Sequence, residues 1–318
     1  MRILVTGAAG FVGSNLVDAL LAEGHTVVGL DNLYTGRMVN LEHLQSNPEF
    51  RFFNADVAGP LPDISGFVFD QIYHLACPAS PPHYQRDMVQ TLLTSTHGMY
   101  NMLKLAESTK ARILFSSTSE IYGDPTVHPQ PESYWGNVNT LGPRSCYDEG
   151  KRVAEAYCYA FAHQRGVQVR LARIFNTFGP RMDPADGRVV SNFILAGLHD
   201  RPMTIYGDGS QTRSFMYVAD LVRGLITLMN SEEHMNCVPV NLGNPIEYSI
   251  KEWAGIVGAA VASYKGSSVV PVHYSDAAVD DPKQRKPDIE RARVRLGWEP
   301  STDVLDGVRE TIKYFDGV

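Results

Sequence analysis

A glycine-rich segment near the N-terminus limits the possible folds more than any other feature of the sequence. Residues 2–6, RILVT, have the composition of a buried strand, and the following GAAGFVG places glycine at positions 7, 10 and 13 ahead of a helical pattern. Glycine is required where a chain turns sharply, where backbone approaches a pyrophosphate, and where a helix packs closely on a strand. The helix start then offers N–H donors. A glycine triplet alone is weak evidence for a nucleotide site, because ordinary βα turns also contain glycine. The flanking strand and helix favour a dinucleotide-binding turn.

The first half of the chain alternates short β-branched or aliphatic runs with longer helical patterns. Such runs are typical of strands that are buried on both faces of a parallel sheet. The predicted strands cover residues 2–6, 26–31, 50–56, 71–76, 112–117 and 167–173, and helical patterns cover residues 11–23, 84–108 and 146–164. This order predicts an α/β fold with a doubly wound parallel Rossmann sheet.

The pattern changes after about residue 176. Pro and Gly become frequent there, and helical patterns remain near residues 220–229 and 250–263. We expect a smaller C-terminal substrate-binding lobe over the carboxyl edge of the sheet. The predicted division is residues 1–175 for the Rossmann domain and 176–318 for the smaller lobe, with an approximate boundary that the chain can cross.

The composition excludes several classes of function. The formal net charge of -7 argues against a broad nucleic-acid-binding face. No apolar stretch approaches the ~20 residues that span a bilayer, and the N-terminus lacks signal-peptide features, so we expect no membrane partner. The four cysteines show no CxxC spacing and indicate reduced thiols in a cytoplasmic protein. His74, His83 and His128 lack a second ligand at helical spacing, so no metal is expected.

Two aspartates end predicted strands next to the glycine turn. Asp31 can accept hydrogen bonds from ribose hydroxyls and would repel a 2′-phosphate, which favours NAD over NADP; the alternative is a turn aspartate. Asp56 could bond the adenine amino group, although a turn role is almost equally expected. The residues predicted to bind NAD are Gly7, Gly10, Phe11, Val12, Gly13, Asp31, Asn32, Asp56, Val57, Leu75, Tyr147 and Lys151.

Tyr147 and Lys151 lie four residues apart in SCYDEGK and share one face of a predicted helix. A lysine ammonium and a positive nicotinamide ring could together lower the pKa of the phenol, which would make Tyr147 a usable base near neutral pH. YxxxK alone is better explained as part of a surface helix. Thr118 makes the set more specific, because a hydroxyl at the end of a central strand can hydrogen-bond the substrate oxygen that Tyr147 deprotonates.

The glycine pattern, the strand end at Thr118 and YxxxK resemble the extended short-chain dehydrogenase/reductase superfamily across essentially the whole chain. A narrower group of segments resembles the UDP-glucuronate decarboxylases, or UDP-xylose synthases: HLACPASPPHYQ, STSEIYGDP, HPQPESYWGNVN, GPRSCYDEGKR, ARIFNTFGPRM, DGRVVSNF, GSQTRSFMYV and DDPKQRKPDI. The chain departs from that family's pattern in two places. Cys77 replaces a usual serine, and residues 139–141, Asn-Thr-Leu, replace Asn-Pro-Ile in the loop before Tyr147.

The resemblance implies conversion of UDP-glucuronate to UDP-xylose and carbon dioxide, through a 4-keto sugar, with tightly bound NAD reduced and reoxidised in each turnover. It also implies a homodimer joined through long helices, with burial of those helices in one subunit as the alternative. A nucleotide-sugar 4-epimerase and a non-catalytic NAD-binding module are the rival functions, which fold alone does not separate. The implied catalytic residues are Thr118, Ser119, Glu120, Tyr147, Lys151 and Arg285.

The polar sequence SSTSE has a specific meaning within this resemblance. Related 4,6-dehydratases carry an aspartic acid at the position of Ser119, where it protonates a departing C6 hydroxyl. A decarboxylase needs no such acid, and a carboxylate there would repel the carboxylate of the substrate. Ser119 instead offers a neutral donor. Glu120, near C5, could orient a water molecule, repel the carboxylate or relay a proton, and these roles stay open.

A UDP diphosphate calls for arginines, whose guanidinium groups match phosphate oxygens. Any single arginine in a turn-rich segment is more simply explained as a surface residue. The resemblance favours Arg213 and Arg285 as ligands, and it also places Arg285 near C5. An aromatic ring at Tyr206 could lie by the uracil, but a core position is equally plausible. The residues predicted to bind UDP-glucuronate are Asn176, Arg188, Tyr206, Arg213 and Arg285.

Overall fold

A computed structural model describes residues 1–64, 66–268, 270–276 and 284–317. The strands are β1 (Arg2–Thr6), β2 (Thr26–Asp31), β3 (Phe50–Asn54), β4 (Gln71–His74), β5 (Arg112–Thr118), β6 (Val169–Ile174), β7 (Thr177–Phe178), β8 (Met203–Tyr206), β9 (Thr212–Ser214), β10 (Met216–Tyr217), β11 (Pro239–Leu242), β12 (Glu247–Ser249), β13 (Val272–Ser275) and β14 (Gln284–Arg285). The α-helices are α1 (Phe11–Ala22), α2 (Pro81–Arg86), α3 (Met88–Leu93), α4 (Met99–Thr109), α5 (Ser145–Arg165), α6 (Val189–Leu198), α7 (Val218–Met229), α8 (Ile250–Lys265), α9 (Glu290–Leu296) and α10 (Val304–Asp316).

The main sheet has seven parallel strands in the order β11-β6-β5-β4-β1-β2-β3. The chain moves outward from β1 through β2 to β3, then returns to the other side of β1 and moves outward through β4, β5 and β6. The strand order therefore reverses between β1 and β4, where ligands bind at the carboxyl ends of doubly wound sheets. The predicted α/β fold and parallel sheet are confirmed.

The long helical pattern predicted over residues 84–108 is the main difference from the sequence analysis. The structure divides this region into α2, α3, a π-helical turn at Thr94–Gly98, and α4. Asp87 breaks the helix after α2, because its backbone is extended (φ -142°, ψ 92°) and its side chain caps α3 by accepting from the Gln90 N–H at 2.9 Å. The helical spacing of apolar residues in the sequence gave no sign of this break at Asp87.

The second half of the chain contributes to both parts of the molecule. β11 completes the main sheet beside β6, and buried side chains of α7 share a core with those of β1 and α1. A separate core joins α6, β8, α8 and α10. The division at residues 175 and 176 stays a proposal, and β11 shows that the chain crosses it.

The described part of the chain has no helix long and apolar enough to cross a membrane. Within the same residues, no group of three or more His, Cys, Asp or Glu side chains is placed to hold a metal ion. Cys77, Cys146, Cys158 and Cys237 are all free thiols.

Candidate active site

Two adjoining clefts lie over the carboxyl ends of the main strands. The cofactor cleft borders the glycine turn and the ends of β2 and β4, and the substrate cleft extends from β5 and α5 to the C-terminal lobe. Phe11, Val12, Leu75, Cys77 and Arg188 line both clefts, so the two are joined. The predicted NAD residues that line the cofactor cleft are Gly7, Gly10, Phe11, Val12, Gly13, Asp31, Asn32, Asp56, Val57 and Leu75. The predicted residues that line the substrate cleft are Thr118, Ser119, Glu120, Tyr147, Lys151, Asn176, Arg188, Tyr206, Arg213 and Arg285.

The glycine turn leaves no room for side chains. Gly7 has a positive φ of 71°, and a Cβ on Gly13 would lie 1.9 Å from the Gly7 carbonyl oxygen. Gly10 begins α1 without a side-chain cap. The first-turn N–H groups of α1 are therefore left for a ligand at the positive end of the helix.

The two aspartates beside this turn are held by local hydrogen bonds. Asp31 accepts from the Ala9 N–H at 3.0 Å and the Leu33 N–H at 2.8 Å, while burial raises the pKa of its carboxyl. Asp56 accepts from the Ala58 N–H at 2.8 Å and also from Asn32 and Gln90 side-chain amides at 3.1 and 2.8 Å. The bond from the Ala58 N–H is the turn contact that the sequence analysis gave as the alternative role of Asp56. Asp56 also lines the cofactor cleft.

The end of β5 turns sharply and so presents its polar residues to the substrate cleft. Thr118 is extended (φ -145°, ψ 156°), and a 3-10 turn over Ser119–Tyr122 follows. The Thr118 hydroxyl caps this turn by accepting from the Glu120 N–H at 3.2 Å. Gly123 ends the turn at φ +64°, and a Cβ there would lie 1.9 Å from the Asn137 carbonyl oxygen. Local geometry therefore fixes Ser119 and Glu120 directly beside Thr118.

Tyr147 and Lys151 project from α5 towards Thr118. A hydrogen bond from Thr118 lowers the pKa of Tyr147, but burial is the larger effect and raises that pKa well above its usual value. Lys151 Nζ donates to the Ser116 carbonyl at 2.7 Å and lies 5.6 Å from the Tyr147 ring centroid. The protein's own groups therefore raise the pKa of the Tyr147 phenol, whereas the sequence analysis expected that pKa to be lowered.

Two arginines hold the Glu120 carboxylate. Oε1 accepts from Arg285 Nη1 at 2.5 Å, and Oε2 accepts from Arg285 Nη2 at 3.1 Å and from Arg144 Nη2 at 2.9 Å. Burial opposes ionisation, but Arg285 and Arg144 outweigh it and lower the pKa of Glu120 to about 2. Glu120 is therefore ionised at neutral pH.

Asp148 is a second carboxyl group near this cluster. It directly follows Tyr147, is 5% exposed, and has an Oδ1 with no hydrogen-bond partner among the described residues. Burial raises the pKa of Asp148 to about 7, Glu120 adds to the increase, and Arg144 and Arg285 oppose it. The carboxyl is therefore close to half protonated at neutral pH.

The predicted substrate ligands share one cleft but have different partners there. Arg285 lies against Glu120. Arg213 pairs in register with Arg285 where β9 and β14 meet, and Asp186 holds Arg188 Nε at 2.7 Å. Tyr206 is 50% exposed at the cleft, so the alternative of a core aromatic is wrong. The first four residues of DDPKQRKPDI, 280–283, lie outside the described residues.

Sequence reasoning missed three groups of the site. Arg144, which binds Glu120, lies within the quoted segment GPRSCYDEGKR, as does Asp148. Tyr84 stacks on Tyr147 with ring centroids 5.0 Å apart. Proximity to the YxxxK motif was the available signal for Arg144 and Asp148, whereas no spacing rule connects Tyr84 with α5.

The parallel sheet, the uncapped glycine turn and the YxxxK helix facing a hydroxyl at a strand end define a dinucleotide-binding protein of the extended short-chain dehydrogenase/reductase type. Residues 3–243 match the NAD dependent epimerase/dehydratase family. Among solved structures, UDP-glucose 4-epimerase from Thermotoga maritima has a TM-score of 0.88 at 28% identity, covering 100% of this chain and 99% of that one. UDP-glucuronic acid 4-epimerase from Bacillus cereus, solved with UDP-glucuronic acid and NAD, has a TM-score of 0.87 at 27% identity with the same coverage.

Curated relatives narrow the assignment. UDP-glucuronic acid decarboxylase 1 of Danio rerio is 54% identical over 314 residues, which cover 99% of this chain and 72% of the relative. UDP-glucuronic acid decarboxylase 1 of Arabidopsis thaliana is 50% identical over 315 residues, covering 99% and 70% respectively. The chain belongs to the family of UDP-glucuronic acid decarboxylases, as the sequence resemblance predicted.

Proposed function

We propose that this enzyme converts UDP-glucuronate to UDP-xylose and carbon dioxide through a 4-keto intermediate, with NAD as a retained cofactor. One observation carries the proposal beyond family membership: the cleft that contains Tyr147 and Lys151 has a neutral Ser119 beside a Glu120 that is bound by Arg285 and Arg144. The two guanidinium groups can attract a sugar carboxylate. The neutral serine avoids the repulsion that a second carboxylate at its position would cause.

The residues around the glycine turn fit NAD. The first-turn N–H groups of α1 suit the pyrophosphate, and Asp31 retains acceptor capacity for ribose hydroxyls because each of its oxygens accepts one backbone N–H. NAD, when bound, supplies the acceptor and then the donor of the hydride at C4 of the sugar, together with a positive nicotinamide ring. That positive charge acts against the burial that raises the pKa of Tyr147.

Tyr147 removes the proton of the sugar O4 hydroxyl in the first step. Thr118 hydrogen-bonds the same oxygen, and Lys151 supplies a positive charge beside the phenolate. Burial lowers the pKa of Lys151, but the bond to the Ser116 carbonyl fixes its ammonium in place. Oxidation at C4 leaves a ketone, and the C5 carboxylate is then β to a carbonyl.

Loss of carbon dioxide breaks the C5–C6 bond, and the electron pair enters an enolate that takes a proton at C5 from a water molecule. Glu120 is ionised, so it accepts a hydrogen bond from this water molecule and orients it, but has no proton of its own to donate. Arg285 lies beside it and Ser119 donates a neutral hydrogen bond. Tyr147 returns its proton to O4 as the C4 ketone is reduced to give UDP-xylose. We place the diphosphate at Arg188 and Arg213, and the uracil beside Tyr206.

A nucleotide-sugar 4-epimerase is the nearest alternative. It would use the same Tyr147, Lys151 and NAD site, and solved epimerases share the fold. Their identity to this chain is 27–28%, against 48–54% for the decarboxylases. An intact acid–base set also argues against a non-catalytic NAD-binding module, since a binding module needs no activated phenol.

The test is to incubate purified protein, without added NAD, with UDP-glucuronate labelled at the C6 carboxylate, and to trap carbon dioxide while identifying the nucleotide product. Labelled carbon dioxide with UDP-xylose is the expected result and also demonstrates a retained cofactor. UDP-galacturonate with the label intact would establish the epimerase instead. No release after NAD is supplied would overturn the decarboxylase assignment. The Tyr147→Phe variant serves as the inactive control.

We also propose a homodimer and a cytoplasmic location. Exposed apolar side chains on neighbouring helices support the dimer: Met88, Val89 and Leu92 on α3, Tyr100 on α4, and Val153 and Tyr159 on α5. The four free thiols support a reducing compartment.

The dimer is tested by light scattering during gel filtration. Val89→Asp should produce monomers, whereas Val68→Asp, which changes an equally exposed valine in the loop before β4, should leave the dimer intact. A monomeric wild-type protein would refute the proposal.

A further inference from the structure

We propose that Asn241 is a positioning residue that holds Arg285 against Glu120. The inference rests on the proposed function, because it concerns the groups assigned to C5. Asn241 lies on β11 at the edge of the main sheet, is 0% exposed, and borders neither cleft. It therefore cannot touch substrate, and any effect on the reaction has to pass through other residues.

The side chain of Asn241 connects the two segments that carry the ion pair. Its Oδ1 accepts from the Tyr122 hydroxyl at 2.8 Å, and Tyr122 belongs to the 3-10 turn that contains Glu120. Its Nδ2 donates to the Asp288 carbonyl at 2.9 Å, three residues after Arg285. One buried amide thus links both partners of the Glu120–Arg285 pair.

Gln130 extends this link along the segment that contains Arg285. Its backbone N–H donates to the Lys286 carbonyl at 2.9 Å, and its Oε1 accepts from the Lys286 N–H at 2.9 Å. Its own carbonyl accepts from Asn241 Nδ2 at 2.9 Å and from the Asp288 N–H at 3.0 Å. Residues 286 and 288 are therefore held on the side of the chain away from the cleft.

Arg285 needs such support because its own strand is short. β14 has two residues and lies at the edge of a three-stranded sheet, where β9 is its partner. The Asn241 amide is fully used, with both N–H groups donated and its oxygen accepting. Asn241→Asp keeps the shape but turns a double donor into an acceptor that faces the Gln130 and Asp288 carbonyl oxygens. The resulting repulsion displaces the Arg285 segment, and a shift of about 1 Å in a reacting group can cost on the order of 10²-fold in rate.

The experiment compares carbon dioxide release by the purified wild-type enzyme, Asn241→Asp, Arg285→Ala and the double variant. Asn241→Asp should lower kcat on the order of 10²-fold while the Kd for UDP changes less than about threefold. In the Arg285→Ala background, the same change should cost less than about threefold, because Asn241 acts through Arg285. A full additional loss in that background would overturn the proposal.

Two further variants keep the test decisive. Asn236→Ala removes a partly buried acceptor of the Val169 N–H, at 2.7 Å, at the amino-terminal end of β6, and should leave kcat within about twofold once its folded fraction is matched. If Asn241→Asp does not fold, Tyr122→Phe takes its place. This variant removes the hydrogen bond to Asn241 Oδ1 but keeps the aromatic ring, and it should also lower kcat.

Hydrogen–deuterium exchange supplies a readout that needs no turnover. Peptides covering residues 284–289 should exchange faster in Asn241→Asp, and those covering β1 and β2 should not. Unchanged exchange at 284–289 would refute the positioning role. If the wild-type enzyme releases no carbon dioxide, the proposed function fails while this exchange measurement still decides the positioning.

Discussion

Asp148→Asn should make the stability of the protein less dependent on pH. The carboxyl is buried and its pKa is raised from an ordinary 3.8 to about 7, chiefly by burial and then by Glu120. In the unfolded chain the same carboxyl ionises near its ordinary value. A difference of about three pKa units corresponds to about 4 kcal/mol, which is an upper value for the cost of ionising Asp148 in the folded protein.

The sign of the effect follows from proton uptake. Below pH 3.8 both states hold the proton, so the carboxyl costs nothing. Between that pH and about 7 the folded state retains a proton that the unfolded state has lost, so stability falls as pH rises, and the cost is fully developed above about pH 7. An asparagine never ionises. The variant should match wild type at low pH and exceed it by up to about 4 kcal/mol at pH 8.

Denaturant unfolding at pH 4.5 and pH 8 measures this difference between wild type and Asp148→Asn. Asp306→Asn, which removes an exposed carboxylate on α10, is the matched control and should change stability by less than about 0.5 kcal/mol at both pH values. A stability difference for Asp148→Asn that is the same at both pH values would refute the reasoning, because it would mean that Asp148 ionises equally in both states.

Three other substitutions test the proposed roles. Tyr147→Phe should lower carbon dioxide release by at least about 10²-fold while bound NAD, measured after denaturation, is retained; near-normal turnover would remove Tyr147 as the base. Glu120→Ala should slow carbon dioxide release while C4 oxidation persists, and should lower unfolding free energy by about 3–5 kcal/mol because two guanidinium groups lose their carboxylate; unchanged release would exclude Glu120 from the reaction. Gly13→Ala should yield protein with little bound NAD, since its Cβ would lie 1.9 Å from the Gly7 carbonyl oxygen; full occupancy would contradict the proposed phosphate turn.

Most of the fold was predictable because its signals are local. Each predicted strand of the first half corresponds to an observed one, and β3 and β4 end two residues earlier than expected. The break at Asp87 was missed, because helix continuity depended on one residue with an extended backbone rather than on the apolar period. β11 was also missed. Two of its four residues, Pro239 and Asn241, are of types depleted in strands, so its pairing with β6 identifies it and its composition does not.

Local spacing is enough to specify the dinucleotide turn and the Tyr147–Lys151 pair, because both lie within one strand–turn–helix unit or one helix turn. The charge at the end of β5 instead depends on contacts between distant parts of the chain. Arg285 is 165 residues from Glu120 in the chain, and Arg144 is 24 residues away, so no local spacing relates the three. Their approach in a buried cleft lowers the pKa of Glu120 to about 2 and helps to set that of Asp148 near 7. Ionisation depends on neighbours and burial, which exist only after the chain has folded.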